Sequence, residues 1–235
     1  MKAAVIIPVY NHGSRVAEVL RQALALGLPL IVVDDGSTDD TAARLTAFPG
    51  ITLLRHPVNQ GKGAALLTGM TAAWERGCDW ALCLDADGQH RPGDAPALLV
   101  AAAGRGRSLV VGCRQGMADN ANVPWTSRFG RGFSNFWVWS AGGPRVSDSQ
   151  SGFRLYPLPE TLHLGVQARR YQFEVEVLVR AARQGIPTIE VPVGVVYQAR
   201  GERISHFRPW RDFLRNSGTF SRLICERIFG GFGRR

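Results

Sequence analysis

Short apolar runs alternate with longer amphipathic stretches through the first half of the chain. Four of these runs have the length and composition of buried strands. They are Ala3–Val9, Leu30–Val33, Ile51–Leu54 and Trp80–Leu84. Helices are predicted between them at 14–26 and 63–75, the first because its apolar residues fall on one face. Strands that alternate with helices in this way predict a parallel, doubly wound α/β sheet.

The pattern is less regular in the second half of the chain. The elements predicted there are a helix at 95–103, a strand at 109–112, an aromatic helix at 125–140 and a helix at 172–184. The last of these helices is mostly apolar but carries Glu174 and Glu176. Short strands are predicted over 186–196, broken at Pro187 and Pro192, because proline cannot donate a hydrogen bond within a sheet.

The fourth apolar run ends abruptly in two carboxylates. Residues i and i+2 of an extended chain point the same way, so Asp85 and Asp87 can face one ion. Gly88 permits a turn that brings the side-chain oxygen of Gln89 towards the same ion. Oxygen ligands of this kind are preferred by Mg²⁺ and Mn²⁺. Taken alone, the segment is equally typical of a solvated loop or a helix cap.

Two other polar clusters favour the metal-site interpretation. Pro8–Tyr10 and Asp34–Asp35 also stand at the ends of predicted strands, as Asp85–Asp87 does. In a doubly wound sheet, ligands bind beyond the carboxyl ends of the strands. The three clusters are therefore expected to meet at one ligand-binding edge.

The composition is that of an ordinary globular domain, with 235 residues of which 45% are hydrophobic and 20% charged. The net charge of +9 is concentrated at the C-terminus, where 200–235 holds nine arginines against three acidic residues. Such asymmetry indicates an anionic partner: a membrane surface, a phosphorylated substrate or nucleic acid. A general preference for arginine over lysine is the alternative, since Lys2 and Lys62 are the only lysines.

The cysteines and the apolar runs bear on the compartment. Four cysteines without a Cys-x-x-Cys pair favour a reduced, cytoplasmic setting. Met1 leads directly into a predicted strand, so no signal peptide is expected. No apolar run reaches the roughly 20 residues of a membrane-spanning helix. Any membrane contact is therefore expected to be peripheral, on the cytoplasmic face.

From Pro209 onwards, apolar residues recur at intervals of three and four, and arginines fall mainly on the opposite side. This pattern predicts a basic amphipathic helix within 208–235. Such a helix can lie in a membrane interface. Alternatively, its apolar face packs on the core of the protein itself and its arginines are solvated.

Four ordered motifs resemble successive signatures of glycosyltransferase family 2, most closely its dolichyl- and polyprenyl-phosphate sugar transferase branch. These motifs are Ile7–Asn11, Val32–Asp39, Asn59–Ala65 and Leu84–His90, and the likeness continues through Asp148–Arg154 and Tyr171–Glu176. The resemblance implies a GT-A fold over residues 1–207, with helices on both faces of a mostly parallel sheet. It also implies a nucleotide-diphosphate sugar as donor, Mg²⁺ or Mn²⁺ as cofactor, and 208–235 as a membrane-docking element.

The resemblance also implies roles on the donor side of the site. The residues implied to contact the nucleotide are Pro8, Tyr10, Lys62 and one of two neighbouring aspartates, Asp34 or Asp35. Of these two aspartates, the resemblance favours Asp34. The residues implied to bind the metal are Asp85, Asp87 and Gln89. The catalytic candidates are the same two aspartates and Asp148. For Lys62 the alternative is a solvated lysine in the turn before a helix.

On the acceptor side, a lipid phosphate is already ionised near neutral pH, so arginines that position it suffice. The resemblance assigns that role to Arg114, Arg128, Arg131, Arg203 and Ser205. The loop 203–207 departs from the family, because His206 stands where lysine is common. Each arginine taken alone is as consistent with a surface charge. Asp148 precedes a glycine turn and is expected to order this side.

The sequence thus predicts a metal-dependent inverting glycosyltransferase acting on a polyprenyl phosphate or another lipid-linked acceptor, on an anionic membrane. One alternative has a hydroxyl acceptor on a glycolipid or secondary metabolite, with Glu174 or Glu176 as base. Otherwise these glutamates pair with Arg154 or Arg180. A nucleotidyltransferase with a similar sheet is another alternative. A basic membrane- or nucleic-acid-binding module would leave the strand-end motifs unexplained, so no nucleic acid is expected as partner.

Overall fold

The computed structural model describes residues 1–115, 125–196 and 209–229. The strands are β1 (Ala3–Val9), β2 (Leu30–Asp34), β3 (Ile51–Arg55), β4 (Trp80–Cys83), β5 (Leu109–Arg114), β6 (Arg154–Pro157) and β7 (Thr188–Val193). The α-helices are α1 (Gly13–Leu24), α2 (Thr41–Leu45), α3 (Lys62–Glu75), α4 (Ala95–Ala103), α5 (Trp125–Ser140), α6 (Phe173–Arg183) and α7 (Pro209–Phe229). Short 3₁₀ helices cover Pro92–Asp94 and Glu160–Leu164.

These strands form one sheet in the order β3-β2-β1-β4-β6-β5-β7. The pairs β1–β2, β1–β4, β2–β3 and β5–β7 are parallel, which confirms the predicted doubly wound, mostly parallel α/β sheet. Strand β6 is the exception, since it runs antiparallel to both neighbours, β4 and β5. Its first residue, Arg154, therefore lies beside Cys83, the last residue of β4.

Helices cover both faces of the sheet and bury two separate cores. On one face α1, α2 and α4 pack through residues such as Val19, Leu45 and Leu98. On the other face α3, α5, α6 and α7 share a second core, which includes Met70 and Leu223. The sheet is thus held between two apolar layers and leaves the carboxyl ends of its strands for polar side chains.

Residues 186–196 do not form the broken strands that the sequence predicts. One continuous strand, β7, runs through Pro192, which pairs in register with Cys113 of β5. Among the described residues, β7 is an edge strand bonded only to β5. An edge strand has one side without ladder partners, so a proline there need not remove a sheet hydrogen bond.

The middle turns of α7 pack on the protein's own core. Phe220 and Leu223 are buried against α5 and α6. Arg222 of the same helix pairs with the buried carboxylate of Glu176, with Nη2 and Oε2 2.8 Å apart. The end of the helix differs, because Ile228 and Phe229 are exposed. Within the described ranges, no helix is long and apolar enough to cross a membrane.

Candidate active site

The ends of the central strands bring the predicted polar clusters to one edge of the sheet. Val9, the last residue of β1, lies opposite Asp34, the last residue of β2. Strand β4 ends two residues before Asp85. Because β6 is antiparallel, the segment 148–153 that precedes it starts from this same edge. The fold therefore places the motifs predicted to bind the donor and the acceptor side by side.

The first two strand-end loops are joined by Asn11. Its backbone N–H donates to Ser37 Oγ at 3.0 Å, and its Oδ1 accepts from the backbone N–H of Thr38 at 2.8 Å. Pro8 and Tyr10 lie half-buried just before this junction. These contacts hold the end of β1 against the loop after β2, so the two halves of the predicted nucleotide pocket are fixed relative to each other.

The structure distinguishes the two neighbouring aspartates. Asp35 is buried, and its Oδ2 accepts from the backbone N–H of Gly61 at 2.7 Å. Its Oδ1 accepts from the backbone N–H of Gln60 at 2.9 Å and lies 2.7 Å from His56 Nδ1. The carboxylate of Asp35 therefore holds the loop before α3. Sequence reasoning leaves both Asp34 and Asp35 as candidate nucleotide contacts, and both carboxylate oxygens of Asp35 are engaged within the protein.

Asp34 is also almost fully buried, but its carboxylate has different partners at the end of β2. Its Oδ1 accepts from the backbone N–H of Ser37 at 2.9 Å. Its Oδ2 lies 3.2 Å from Nε of Arg55, whose side chain is largely exposed at the end of β3. A carboxylate beside an exposed arginine can meet a polar ligand at the strand ends, where ribose and base contacts occur in nucleotide-binding folds.

Lys62, the first residue of α3, lies between two carboxylates. Its Nζ is 2.6 Å from Asp85 Oδ1 and 2.6 Å from Glu174 Oε1. Only 16% of the Lys62 side chain is exposed, and that of Glu174 is almost fully buried. Burial alone would lower the pKa of Lys62, but the two carboxylates raise it above its usual range. Lys62 is therefore a fixed cation rather than a solvated surface lysine.

Glycines make room for this ion triad. A Cβ at Gly152 would lie 2.3 Å from Asp85 Oδ2 and 2.7 Å from Lys62 Nζ. A Cβ at Gly63 would lie 2.7 Å from Cβ of Phe173, at the start of α6. The backbone before β6 and the start of α6 thus press directly on Lys62 and its partners, which explains why glycines flank these positions.

The predicted metal ligands present hard oxygen donors. Asp87 Oδ1 accepts from the backbone N–H of Gln89 at 2.9 Å, which fixes the turn after β4. No group of three or more His, Cys, Asp or Glu side chains converges on one point within the described residues. Mg²⁺ commonly takes one or two protein carboxylates and completes its shell with water and substrate phosphates. Asp85 and Asp87 fit an ion held in that way, although Asp85 also engages Lys62.

On the other side of the edge, Asp148 and Arg114 form a bidentate ion pair. Arg114 donates from Nε to Oδ2 at 2.6 Å and from Nη2 to Oδ1 at 2.8 Å. Burial of Asp148 would raise its pKa, but the guanidinium holds the pKa below its usual range. Glu190 of β7 accepts from the backbone N–H of Asp148 at 3.3 Å and from Oγ of Ser147 at 2.7 Å. Asp148 therefore fixes the orientation of Arg114.

A buried arginine links the two sides. Arg154 is fully buried and donates to three backbone carbonyls, those of Ser149, Ser151 and Glu174, each at 2.7 Å. Its guanidinium thus meets the main chain of Glu174, while the side chain of Glu174 meets Lys62. The predicted alternative of a Glu174–Arg154 side-chain pair is wrong. This arrangement ties the turn before β6 to the start of α6.

The second glutamate of α6 is structural. Glu176 pairs with Arg180, with Oε1 and Nε 2.6 Å apart, as the ion-pair alternative predicts. It also accepts from the backbone N–H of Ala168 at 2.8 Å. With Arg222 of α7 as a further partner, its oxygens are engaged away from the strand ends.

The remaining predicted acceptor residues are described unequally. Arg131 of α5 is half-buried, and its charge helps to lower the pKa of Asp148. The side chain of Arg128, and the whole of Arg203 and Ser205, lie outside the described residues. His90, which follows the metal motif, is buried with its ring centroid 5.4 Å from that of Phe153. Burial lowers the pKa of His90 to about 4, so it is neutral near pH 7.

Sequence reasoning did not assign two of these contacts. Glu174 as a partner of Lys62 lies 112 positions along the chain, and no local pattern encodes such a pairing. Glu190 as the anchor of the Asp148 loop lies on a strand that was predicted to be broken. The available signal is the presence of glutamates in largely apolar elements: Glu174 and Glu176 in α6, and Glu190 in β7.

The amino-acid sequence is similar to that of a known protein family and to those of several named proteins. The family model described as Glycosyl transferase family 2 matches residues 4–158. UDP-N-acetylglucosamine--dolichyl-phosphate N-acetylglucosaminyltransferase of Methanococcus voltae is 30% identical over 223 residues, covering 85% of this chain and 89% of that protein. Undecaprenyl-phosphate mannosyltransferase of Micrococcus luteus is 31% identical over 221 residues, covering 86% of each.

A solved structure shows the same fold. Mannosyl-3-phosphoglycerate synthase from Rubrobacter xylanophilus superposes with a TM-score of 0.69, covering 100% of this chain and 76% of that one, at 16% identity. Identity at this level bears on the fold alone.

Proposed function

Since this chain belongs to glycosyltransferase family 2, we propose that it moves a sugar from a nucleotide-diphosphate sugar to a polyprenyl phosphate, with a divalent metal and with inversion at the anomeric carbon. One observation carries the proposal. The Lys62–Asp85 pair and the Asp148–Arg114 pair lie at one edge of the sheet, connected by the short segment before β6. An acidic metal-type site thus stands beside a positioned guanidinium.

On the donor side, Asp34, Pro8 and Tyr10 would bind the nucleoside. The fixed cation of Lys62 lies close enough to Asp85 to contribute positive charge near a diphosphate. The relatives support a nucleotide-sugar donor, because the protein from Methanococcus voltae is named for UDP-N-acetylglucosamine.

The metal would be held by Asp87 and Asp85 with the carboxamide of Gln89. Bound Mg²⁺ or Mn²⁺ would offset the charge that develops on the departing nucleoside diphosphate. The protein's contribution is to fix these oxygens: the Asp87–Gln89 turn is closed by its own hydrogen bond, and Gly152 packs against Asp85.

On the acceptor side, a phosphate oxygen of the lipid would attack the anomeric carbon from the face opposite the leaving diphosphate. The new carbon–oxygen bond forms as the bond to the diphosphate breaks, which inverts the configuration. The phosphate is already ionised near neutral pH, so no proton has to be removed. Arg114, oriented by Asp148, would bind and position this phosphate together with Arg131.

Two observations favour a phosphate over a hydroxyl acceptor. A hydroxyl acceptor requires a general base, and the glutamates of α6 are engaged elsewhere: Glu174 with Lys62, and Glu176 with Arg180 and Arg222. The names of both curated relatives contain a polyprenyl-type phosphate.

A lipid acceptor requires contact with a membrane, and we propose that the exposed aromatic ends of α5 and α7 make it. Phe136 and Trp139 of α5 are exposed, as is Phe229 of α7. Arg227 joins the two helices by donating to the carbonyl of Ser140 at 2.7 Å. Aromatic and basic residues together suit an anionic bilayer surface on the cytoplasmic face.

The test is an incubation of the protein with labelled nucleotide sugars and polyprenyl phosphate, with and without Mn²⁺. The expected products are a polyprenyl-phosphate sugar and a nucleoside diphosphate, formed only with metal. Release of pyrophosphate would instead identify a nucleotidyltransferase. Transfer to glycolipid hydroxyls with none to polyprenyl phosphate would replace the proposed acceptor.

A further inference from the structure

The contact between Lys62 and Asp85 places a cation on one of the two carboxylates proposed to bind the metal. Lys62 Nζ lies 2.6 Å from Asp85 Oδ1. Gly152 closes the other side, since a Cβ there would lie 2.3 Å from Asp85 Oδ2. An ammonium at this distance repels a divalent cation and competes for the same oxygen lone pairs.

Glu174 is the second carboxylate partner of Lys62. Its Oε1 lies 2.6 Å from Lys62 Nζ, and its Oε2 is buried without a hydrogen-bond partner among the described residues. Only 4% of the Glu174 side chain is exposed, so water does not compensate this carboxylate. If Asp85 turned away, Glu174 would still hold the lysine and would neutralise its charge in the interior.

We propose that Lys62 withholds Asp85 from the metal until a nucleoside diphosphate arrives, and that Glu174 retains Lys62 when Asp85 is released. This inference rests on the proposed metal-dependent function. The diphosphate brings further oxygen ligands and negative charge, which together outweigh the ammonium and draw Asp85 to the metal. Metal and nucleotide therefore bind cooperatively, and the free protein has a weak affinity for metal. Lys62 and Glu174 are positioning residues in this scheme, since they act through Asp85.

Cooperativity of this kind is reciprocal: if the nucleotide tightens metal binding, the metal tightens nucleotide binding by the same factor. The ion pair between Lys62 and Asp85 is the element that sets that factor. Removal of this ion pair is expected to raise the affinity of the free protein for metal. It is also expected to reduce the factor by which the nucleotide tightens metal binding.

The experiment measures Mn²⁺ binding by electron paramagnetic resonance on the full chain, with Mn²⁺ alone and with Mn²⁺ plus UDP or GDP. The test variant is Lys62→Met with Glu174→Gln. It removes the cation together with the almost fully buried Glu174 carboxylate and leaves the 27% exposed carboxylate of Asp85 available to the metal. It is expected to bind Mn²⁺ alone about tenfold more tightly than the wild type. Asp85→Asn in that background is expected to abolish the gain.

A second variant tests Glu174 separately. In Glu174→Gln alone, Asp85 is the only one of the two carboxylates that can still pair with Lys62. Asp85 is then harder to release to the metal, so Mn²⁺ binding in the presence of the nucleotide is expected to weaken by about tenfold. The matched control is Arg107→Met with Glu160→Gln, which removes a partly exposed ion pair away from the site. Its Mn²⁺ affinity is expected to equal that of the wild type. Circular dichroism checks that each variant is folded.

The outcomes separate this inference from the function on which it rests. An unchanged affinity of the folded Lys62→Met, Glu174→Gln variant for Mn²⁺, with nucleotide-dependent binding intact in the wild type, overturns the inference alone. Failure of the wild type to bind Mn²⁺ with any nucleotide overturns both the inference and the proposed metal dependence.

Discussion

The imidazole of His56 and the carboxylate of Asp35 form a buried pair, with Nδ1 and Oδ1 2.7 Å apart. Asp35 in turn accepts from the backbone N–H of Gly61, immediately before Lys62. His56→Ala is expected to loosen the loop and to destabilise the fold by about 1–3 kcal/mol, because a buried carboxylate loses a partner. The KM for the donor is expected to rise more than kcat falls.

Thermal unfolding and donor kinetics measure these two effects. His163→Ala is the control, since His163 is exposed. An unchanged KM in a folded but destabilised His56→Ala protein would show that the pair serves stability alone.

Asp87→Asn is expected to abolish turnover and leave the fold intact. The side chain keeps its shape and remains able to accept from the backbone N–H of Gln89, but it loses the charge that would bind a divalent metal. Product formation across a Mn²⁺ titration, with circular dichroism as the check on folding, measures the effect. Metal-dependent activity at the wild-type level would remove Asp87 from the proposed site.

Asp148→Asn is expected to release the guanidinium of Arg114 from its bidentate pair. The KM for polyprenyl phosphate is expected to rise about tenfold or more, because a charge-assisted contact is worth about 1.5–3 kcal/mol. The KM for the nucleotide sugar should stay near the wild-type value. Arg114→Lys keeps the charge but loses the two-pronged geometry, so it should weaken acceptor binding as well. An equal rise in both KM values would contradict a specific acceptor role.

The stability of α7 on the domain is expected to depend on pH through Glu176. Burial would raise the pKa of this carboxyl, but the bond to Arg180 and the other donors holds the pKa below 4.5 in the folded protein. The unfolded chain therefore takes up the proton first, and the stabilisation is complete above about pH 4.5 and is lost as the pH falls below it. Urea unfolding between pH 7 and pH 3 measures this loss.

Glu176→Gln is the matched variant for that titration. It is expected to be less stable at pH 7 by about 3 kcal/mol, because two arginines lose a buried partner. Its stability is expected to fall less steeply below pH 4.5 than that of the wild type. Parallel curves for the two proteins would assign the acid sensitivity to other carboxyls.

Trp139→Ala combined with Phe229→Ala is expected to weaken binding to anionic vesicles by at least about tenfold, because each ring removes apolar area from the proposed membrane surface. Vesicle sedimentation measures the fraction of protein bound. Trp74→Ala is the control, since Trp74 of α3 is 42% exposed and Trp139 is 45% exposed. An equal loss of vesicle binding in Trp74→Ala and in the double variant would refute a localised membrane surface.

The strand ends could be predicted from the sequence because their signal is local. The apolar run from Trp80 stops at Asp85, and the run from Leu30 stops at Asp34. Each strand end is therefore marked by a change from apolar to acidic residues between neighbouring positions. Parallel strands then bring those boundaries to one edge. The sequence therefore predicts that the polar clusters after these strands lie together.

The pairings across the chain could not be predicted in that way. Glu174 and Glu176 are two positions apart on a helix, so they face different directions, one towards Lys62 and the other towards Arg180 and Arg222. Nothing in the local pattern tells which partner each will meet. The insertion of β6 between β4 and β5 is a long-range event for the same reason, and it decides where Asp148 lies.

The segment before strand β6 joins the two proposed substrate sites by one short length of main chain. Asp148, which holds Arg114, and Gly152, which touches Lys62 and Asp85, are separated by three residues just before this strand. The guanidinium of Arg154 clamps the carbonyls between them. The two proposed substrate sites are therefore joined by three residues of main chain, and one buried guanidinium holds the carbonyls of that short segment in place.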